Sequence, residues 1–395
     1  MSGGAGGIAV RGALHRLRQG RIVVEDGGRQ RAYGPAGAEL RAAVTVHDAS
    51  AWRAPLRGSL GLGETYVEGA WDTDDLVALI RIAARELRRP GGLRAAVIRS
   101  RGLLHRLRGL VPVQTRGRAR ASIGAHYDLG NDLFAAFLDE RMQYSCAWFE
   151  SPGTDLEQAQ LAKLERICRR LRLGPGTHLL EIGSGWGGLA VHAAAEHGCR
   201  VTTTTISAEQ HALASERVRA AGLADRVTVL REDYRDLRGE FDRLVSVEMI
   251  EAVGWRGFPE FFRRCSRLLR PDGLMLLQAI TIDDRLYEAE KAARSFANTH
   301  VFPGGCLPSR RAIAECIAAE TDLRQIWAED ITAHYPPTLA AWRRRFHDAW
   351  GELRERGYDE RFRRLWDFYL CSSEAGFRER RIGDVQVLYA KPECP

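Results

Sequence analysis

Long apolar runs, paired cysteines and lysine are all scarce in this 395-residue chain, and each scarcity removes a class of protein. The longest apolar stretches, Gly273 to Ile280 and Leu189 to Ala195, fall far short of the roughly 18 residues that suggest a membrane span. The opening MSGGAGGIAVRGALHRLRQG lacks the apolar core and small-residue cleavage site of a secretory signal, so a cytoplasmic location is expected. Eight cysteines are scattered without a C-x-x-C pair, which suggests neither a zinc site nor a disulfide framework and leaves free thiols. Lysine is nearly absent, and arginine carries the positive charge.

That charge is unevenly placed. The formal net charge is +7, yet residues 1 to 120 hold 21 Arg against 10 acids, so the remaining 275 residues are net negative. Residues 81 to 120 carry twelve Arg, the single acid Glu86, and no Phe, Trp or Tyr. Such a tract suits an anionic membrane surface. Stacking on nucleic-acid bases needs interleaved aromatics, so their absence weighs against an RNA patch, although contact with phosphates alone would pass that test. A solvated arginine face is the plainer alternative.

With 45% hydrophobic and 28% charged residues the chain can fill one large α/β domain and a smaller neighbour. Short β-like runs at Arg21 to Val24 and Leu40 to Val46, and a helix from Thr73 to Arg88 capped by Asp72 or Thr73, predict a small α+β module. Between Pro90 and Arg120, Leu103, Leu104, Leu107 and Leu110 recur at helical spacing among arginines. This amphipathic pattern suits a bilayer interface, or packing on the protein's own core. The expected boundary lies at 120, giving a lipid-associating domain over 1–120 and a catalytic domain over 121–395.

From Thr177 strands and helices alternate: strands at Thr177 to Ile182, Arg200 to Thr205, Val227 to Arg231, Phe241 to Val247 and Gly273 to Ile280, with helices at Leu189 to His197, Ala208 to Ala221 and Phe258 to Leu269. Helices follow through Thr338 to Arg380, then a last strand at Val385 to Ala390. The alternation predicts a doubly wound, mostly parallel sheet. In such a sheet ligands bind beyond the carboxyl ends of the strands, beside the first one. Here that place reads Glu181-Ile-Gly183-Ser-Gly185-Trp186-Gly187-Gly188. Glycines let the backbone approach a ligand. An acid just ahead of the loop would repel a pyrophosphate but suit a cationic amino-acid sulfonium, which favours S-adenosylmethionine over a dinucleotide.

Further motifs occur in order: His126-Tyr-Asp-Leu-Gly-Asn-Asp-Leu-Phe, Met142-Gln-Tyr144-Ser145-Cys146-Ala, Thr205-Ile-Ser-Ala-Glu-Gln210, Asp233-Tyr234-Arg-Asp-Leu and Phe302-Pro-Gly-Gly-Cys-Leu-Pro-Ser309. Together they resemble the cyclopropane-fatty-acyl-phospholipid synthase family, in register from about residue 60 to the C-terminus. The resemblance implies a class I methyltransferase, Rossmann-like, with a seven-stranded sheet and a smaller N-terminal α+β domain. It implies that Tyr144 and Ser145 close over S-adenosylmethionine, that Gly183, Gly185 and Gly187 carry its methionine end with Glu181 and Trp186 in the same loop, that Thr205 and Gln210 face the ribose, and that Asp233 and Tyr234 lie near the adenine. On the residues alone, Thr205 reads as a strand residue and Tyr234 as a core aromatic.

The implied reaction is methyl transfer to the cis double bond of an unsaturated phospholipid acyl chain, followed by proton loss from the carbocation. Loss from the new methyl group closes a cyclopropane; loss preceded by a hydride shift from the carbon that accepted the methyl leaves a methylene. By resemblance the base is a bound bicarbonate held by Cys146, Glu251, Tyr335 and a histidine. This chain has Gln278 at the histidine position and Ala252 where many members have His. Gln278 can donate a hydrogen bond but cannot be cationic. The pairing of E-M-I-E-A-V-G with Q-A-I is associated with plant-type cyclopropane synthases and with actinobacterial 10-methyl or 10-methylene stearate enzymes. A methylene product would call for a reductase partner to reach a methyl branch. A homodimer and peripheral attachment to the inner membrane face complete the expectations. Glu248 is left open between a strand-end residue near the cofactor and a capping acid. Cys371 and Ser373 suggest no covalent thiol mechanism. Methyl transfer to RNA or small amines, and a non-catalytic lipid-binding protein, are the competing readings.

Overall fold

A computed structural model of the chain describes residues 5–88 and 130–394. They divide into two compact units. One takes the described residues of Met1–Val111 with Ala292–Val301 and Trp342–Arg381; the other takes those of Pro112–Lys291 with Phe302–Ala341 and Ile382–Pro395. A single boundary at 120 therefore has to be corrected. Periodicity places a helix in the C-terminal region but does not say which core receives its apolar face. The helix Glu360–Arg378 packs on the helices Gly58–Val67 and Leu76–Arg88, and so belongs with the N-terminal segment.

That first unit contains a four-stranded sheet in the order β2-β1-β3-β4, with β1 Arg21–Asp26, β2 Arg29–Tyr33, β3 Arg41–Val46 and β4 Trp71–Thr73. β1 and β2 form a hairpin whose turn residues, Gly27 and Gly28, both have positive φ, as a two-residue turn matched to strand twist requires. Ile22 and Val24 alternate into a core with Leu17, Tyr33, Leu40 and Ile82. β2 went unforeseen because RQRAY is exposed over most of its length. The helix expected from Thr73 begins at Leu76, capped by Asp75, whose Oδ1 accepts the Ala78 N–H at 2.8 Å. Asp367 binds this unit's C-terminal helices together: Arg343 Nε donates to its Oδ1 at 2.7 Å and His347 Nε2 lies 2.8 Å from the same oxygen. The leucine pattern at 103–110 and most of the arginine tract lie outside the described residues.

The second unit holds a seven-stranded sheet in the order β10-β11-β9-β8-β5-β6-β7. Its strands are β5 His178–Ile182, β6 Arg200–Thr204, β7 Val227–Leu230, β8 Phe241–Val247, β9 Leu269–Ile282, β10 Arg324–Asp330 and β11 Ile382–Ala390. β5 pairs in parallel with β6 and β8, and β8 with β9, while β11 inserts antiparallel between β9 and β10. Helices cover both faces, so the central strands are buried on both sides and read as continuous apolar runs. β10 is the element the sequence hid: an edge strand with the half-exposed sequence RQIWAED shows no apolar alternation. The doubly wound, mostly parallel sheet and the smaller α+β sheet match the expected class. Among the described residues no helix is long and apolar enough to cross a membrane.

Candidate active site

The carboxyl ends of β5, β6 and β8 open on one side of the sheet, and the glycine loop starts there. Gly183, Gly185 and Gly187 have φ of 100°, 48° and 86°, a region that L side chains avoid. A Cβ on Gly183 would lie 3.1 Å from Met249 Cγ, and one on Gly188 would collide with the Gln143 side chain and the Arg141 carbonyl. The Gly183 and Ser184 N–H groups donate to Thr204 O at 3.0 and 2.9 Å, tying the loop to β6. The result is a bare backbone cradle into which a small ligand's polar end can be set.

Side chains around the cradle are already organised. Glu181 is buried and accepts from Thr203 Oγ1 at 2.6 Å; burial raises its carboxyl to about 8. A cationic ligand beside it would reverse that shift. Thr205 Oγ1 donates to Gln210 Oε1 at 2.8 Å, so the two residues assigned to the ribose meet directly. The Asp233 carboxylate is clamped by Arg235 through Nε at 2.8 Å and Nη2 at 2.6 Å. Tyr234 meets Phe261 edge to face at 5.5 Å. Trp186 Nε1 donates to Asn131 Oδ1 at 2.8 Å, and its ring lies 4.8 Å from that of Phe134. Tyr144 packs edge-on against Phe134 and parallel to Phe302. Ser145 Oγ accepts from Lys163 Nζ at 2.8 Å, and the same ammonium donates to Gln143 Oε1 at 2.8 Å. Lys163 was not foreseen; it is fully buried, and burial lowers its proton affinity.

Beside the cradle, Glu248 follows β8 with φ at 47°, a left-handed backbone costing on the order of 1 kcal/mol for a residue with a side chain. The strain sets its carboxylate among three donors. Oε1 accepts from the Cys146 N–H at 2.8 Å and from Gln278 Nε2 at 2.7 Å, and Oε2 accepts from the Tyr335 hydroxyl at 2.6 Å. Gln386 Nε2 donates to Gln278 Oε1 at 3.0 Å, which fixes the amide so that its nitrogen faces the acids. Gln278 Nε2 also reaches Asp384 Oδ2 at 3.2 Å. Glu251 Oε1 accepts from the Ile280 N–H at 2.6 Å, while its Oε2 is buried without a hydrogen-bond partner, as is Asp384 Oδ1.

Three carboxyl groups thus lie close together, Asp384 fully buried and Glu248 and Glu251 largely so, and desolvation pushes all three upward. Glu251 rises to about 8 through burial and then through the charge of Glu248. Asp384 is raised well above the ordinary carboxyl range by burial and by Glu248, whereas Glu248 itself is raised by burial but pulled back by its donors. Glu248 has three donors where Asp384 has one, so negative charge is better supported on Glu248. The Cys146 thiol is wholly buried and pushed well up by burial and the neighbouring acids, which makes it a poor nucleophile.

Four expected residues, Cys146, Glu251, Gln278 and Tyr335, do converge, but three of them converge on Glu248. Glu248 thus stands at the end of β8 as the shared acceptor of Cys146, Gln278 and Tyr335. Asp384 was missed altogether. Its one signal is an acid inside a strand that otherwise reads as apolar, IGDVQVLYA.

Residues 114–387 match the family model described as mycolic acid cyclopropane synthetase. The chain belongs to that family. Within it, the chain is 41% identical over 374 residues to tuberculostearic acid methyltransferase UfaA1 of Mycobacterium tuberculosis, covering 91% of this chain and 84% of that protein. It is 40% identical over 336 residues to the cyclopropane-fatty-acyl-phospholipid synthase of Escherichia coli K12, covering 85% and 84%. The solved mycolic acid cyclopropane synthase CmaA1, complexed with SAH and CTAB, is 31% identical, with a TM-score of 0.65 over 69% of this chain and 98% of that one. As a mycolic acid cyclopropane synthetase family member the chain is an S-adenosylmethionine-dependent methyltransferase of the class I fold. The bare glycine cradle, with Glu181 available to a sulfonium, fits that cofactor.

Proposed function

We propose that this enzyme transfers a methyl group from S-adenosylmethionine to the cis double bond of an unsaturated phospholipid acyl chain, and that Glu248 takes the proton the product must lose. The observation that carries the second half is the convergence of Cys146 N–H, Gln278 and Tyr335 on one buried carboxylate. A bound bicarbonate does not fit. Its expected donors are spent on Glu248, and a second anion would stand beside Glu251 and Asp384 in a low-dielectric cage.

When bound, S-adenosylmethionine supplies an electrophilic methyl on its sulfonium. The chain's residues supply the rest. Gly183 to Gly188 hold the amino-acid end, and Tyr144 and Trp186 close an aromatic wall that excludes water. Transfer of that methyl to the alkene would leave a carbocation on the acyl chain. Buried negative charge on Glu248 stabilises that cation. Its carboxylate then accepts a proton, and the released C–H electrons close the ring or form the double bond. Gln278 acts as a positioning residue by donating to Glu248 and to Asp384.

Both products lose a proton from the new methyl group, and a 1,2-hydride shift decides between them: without it the methyl C–H electrons close the ring, and after a hydride moves from the methyl-bearing carbon to the cationic one they form the methylene double bond. Closure to a cyclopropane, the reaction named by the Escherichia coli relative, is the first reading. A methylene fatty acid, which a reductase partner would convert to a methyl branch, is favoured by a specific departure: a fixed side-chain carboxylate replaces a small diffusible anion, and the relative named for tuberculostearic acid is similar over more of this chain. The two products are isomers, so mass alone does not separate them. After incubation with oleoyl phospholipid, proton NMR of the methyl esters reads either upfield ring protons or vinylidene protons. Vinylidene signals with no ring signals overturn the first reading, and absence of both from an active cofactor-binding preparation overturns the acyl substrate.

The same proposal places the enzyme on the anionic inner face of the membrane, supported by the twelve arginines of residues 81 to 120. Co-sedimentation should be stronger with anionic than with zwitterionic vesicles and should weaken with salt. Equal binding to both would reduce the tract to a solvated face.

A further inference from the structure

The helices Leu156–Arg170 and Gly188–His197 bring four ligand-type side chains together away from the carboxyl cage. Cys168 Sγ and one ring nitrogen from each of His192 and His197 lie within 4.8 Å of one another. Glu165 stands one turn before Cys168 on the same helix face, and its Oε2 is 3.0 Å from His197 Nε2 and 3.4 Å from His192 Nε2. His197 closes its helix, about 15 Å along from the glycine loop that starts it.

Two features distinguish this group from a plain histidine–glutamate contact. His192 is 8% exposed, and its Nε2 has only the long contact to Glu165 Oε2 at 3.4 Å, which falls short of hydrogen-bond geometry and leaves a buried ring nitrogen unsatisfied. Cys168 is wholly buried and points its sulfur at the same spot. Polar groups placed in an apolar core with one corner unsatisfied are what a ligand set looks like before its ion arrives.

The geometry points to a divalent transition-metal site, of the zinc class, formed by Cys168, His192, His197 and Glu165. A thiolate, two imidazoles and one carboxylate select zinc over magnesium or calcium, which take oxygen ligands. Tetrahedral zinc, with metal–sulfur and metal–nitrogen bonds of about 2.3 and 2.0 Å, needs its ligand atoms about 3.3 to 3.6 Å apart. The atoms of Cys168, His192 and His197, up to 4.8 Å apart, must therefore close by about 1.2 to 1.5 Å, through rotation at His197 with Glu165 swinging in beside it; the side chains of these two are partly exposed and provide the entry path. As the sulfur–metal bond forms, the thiol proton leaves to solvent. Bound metal would clip the two helices and so brace the helix that begins at the cofactor loop. Spacing along the chain could not reveal this site, because its ligands come from two helices rather than from a C-x-x-C knuckle.

The test uses the full-length protein, stripped with chelator and then titrated with zinc or cobalt. One zinc per chain by elemental analysis, a thiolate-to-cobalt charge-transfer band, and a melting temperature that rises with zinc are expected of the wild type. Cys168→Ser should lose the charge-transfer band and the melting shift, and His192→Gln and His197→Gln should lose stoichiometric zinc. Glu165→Gln should bind roughly tenfold to 100-fold more weakly. Each variant is checked for wild-type circular dichroism and S-adenosylmethionine binding, so that loss of metal is separated from loss of fold. Sub-stoichiometric zinc in the wild type, or undiminished zinc and charge transfer in Cys168→Ser, would overturn the assignment.

Discussion

Replacing Glu248 with Gln tests the carboxyl cage with little disturbance of its shape. The amide oxygen can still accept from the Cys146 N–H and from Gln278 Nε2, and the new NH2 faces the Tyr335 hydroxyl, which can turn to accept. What disappears is the negative charge and the ability to take a proton. A positioned general base is worth on the order of 100-fold to 10,000-fold in rate, or about 3 to 5 kcal/mol of barrier. Product formation by Glu248→Gln should fall by that factor while cofactor affinity stays within a few-fold of wild type. Stability at neutral pH should not fall, because the charge removed is one that raises both Glu251 and Asp384. Single-turnover assays that follow S-adenosylhomocysteine and lipid product separately, with urea unfolding of both proteins, read all three quantities. Retention of wild-type product formation would refute Glu248 as the base. Parallel loss of activity, cofactor binding and stability would instead mark it as structural.

Two further expectations concern pH. Glu251 has a folded value of about 8 against an ordinary 4.5, so the folded state keeps its proton while the unfolded state gives it up. Stability from this group is intact below about 4.5 and is lost as pH rises toward 8, by roughly 3 to 5 kcal/mol. Urea unfolding of Glu251→Gln and wild type at pH 5 and pH 8 should show the variant gaining ground at the higher pH; a pH-independent difference would contradict the shift. Asp367 runs the other way: held at about 2 by His347 and Arg343 despite its burial, it stabilises the first unit above its ordinary 3.8 and loses that stabilisation as pH falls toward 2. The loss is about 2 kcal/mol, and Asp367→Asn should abolish the acid dependence.

The carboxyl cage also explains how a neutral Gln278 can stand at a histidine position. A cationic histidine suits a bound anion whose charge needs a counterion. Where the anion is a side chain already supplied with three donors, an amide held by Gln386 gives direction without adding charge. The cost appears in the backbone, where Glu248 is held at positive φ.

Much of the molecule was legible before any coordinates. Alternation of β and α from residue 177 determined the sheet, since period-two and period-3.6 patterns are local. The glycine loop, Glu181 and the ordered motifs determined the cofactor class, because a tight approach to a ligand demands glycine wherever φ is positive. Tertiary structure alone decided the rest. It attached the helix Glu360–Arg378 to the N-terminal unit, inserted β11 between β9 and β10, and so carried Asp384 to the side of Gln278 and Glu248 across more than a hundred residues of chain. It likewise set Cys168 against His192 and His197. Local patterns report which face of an element is apolar; they hold no record of which distant element that face will meet, and the chemistry of this protein lies at such meetings.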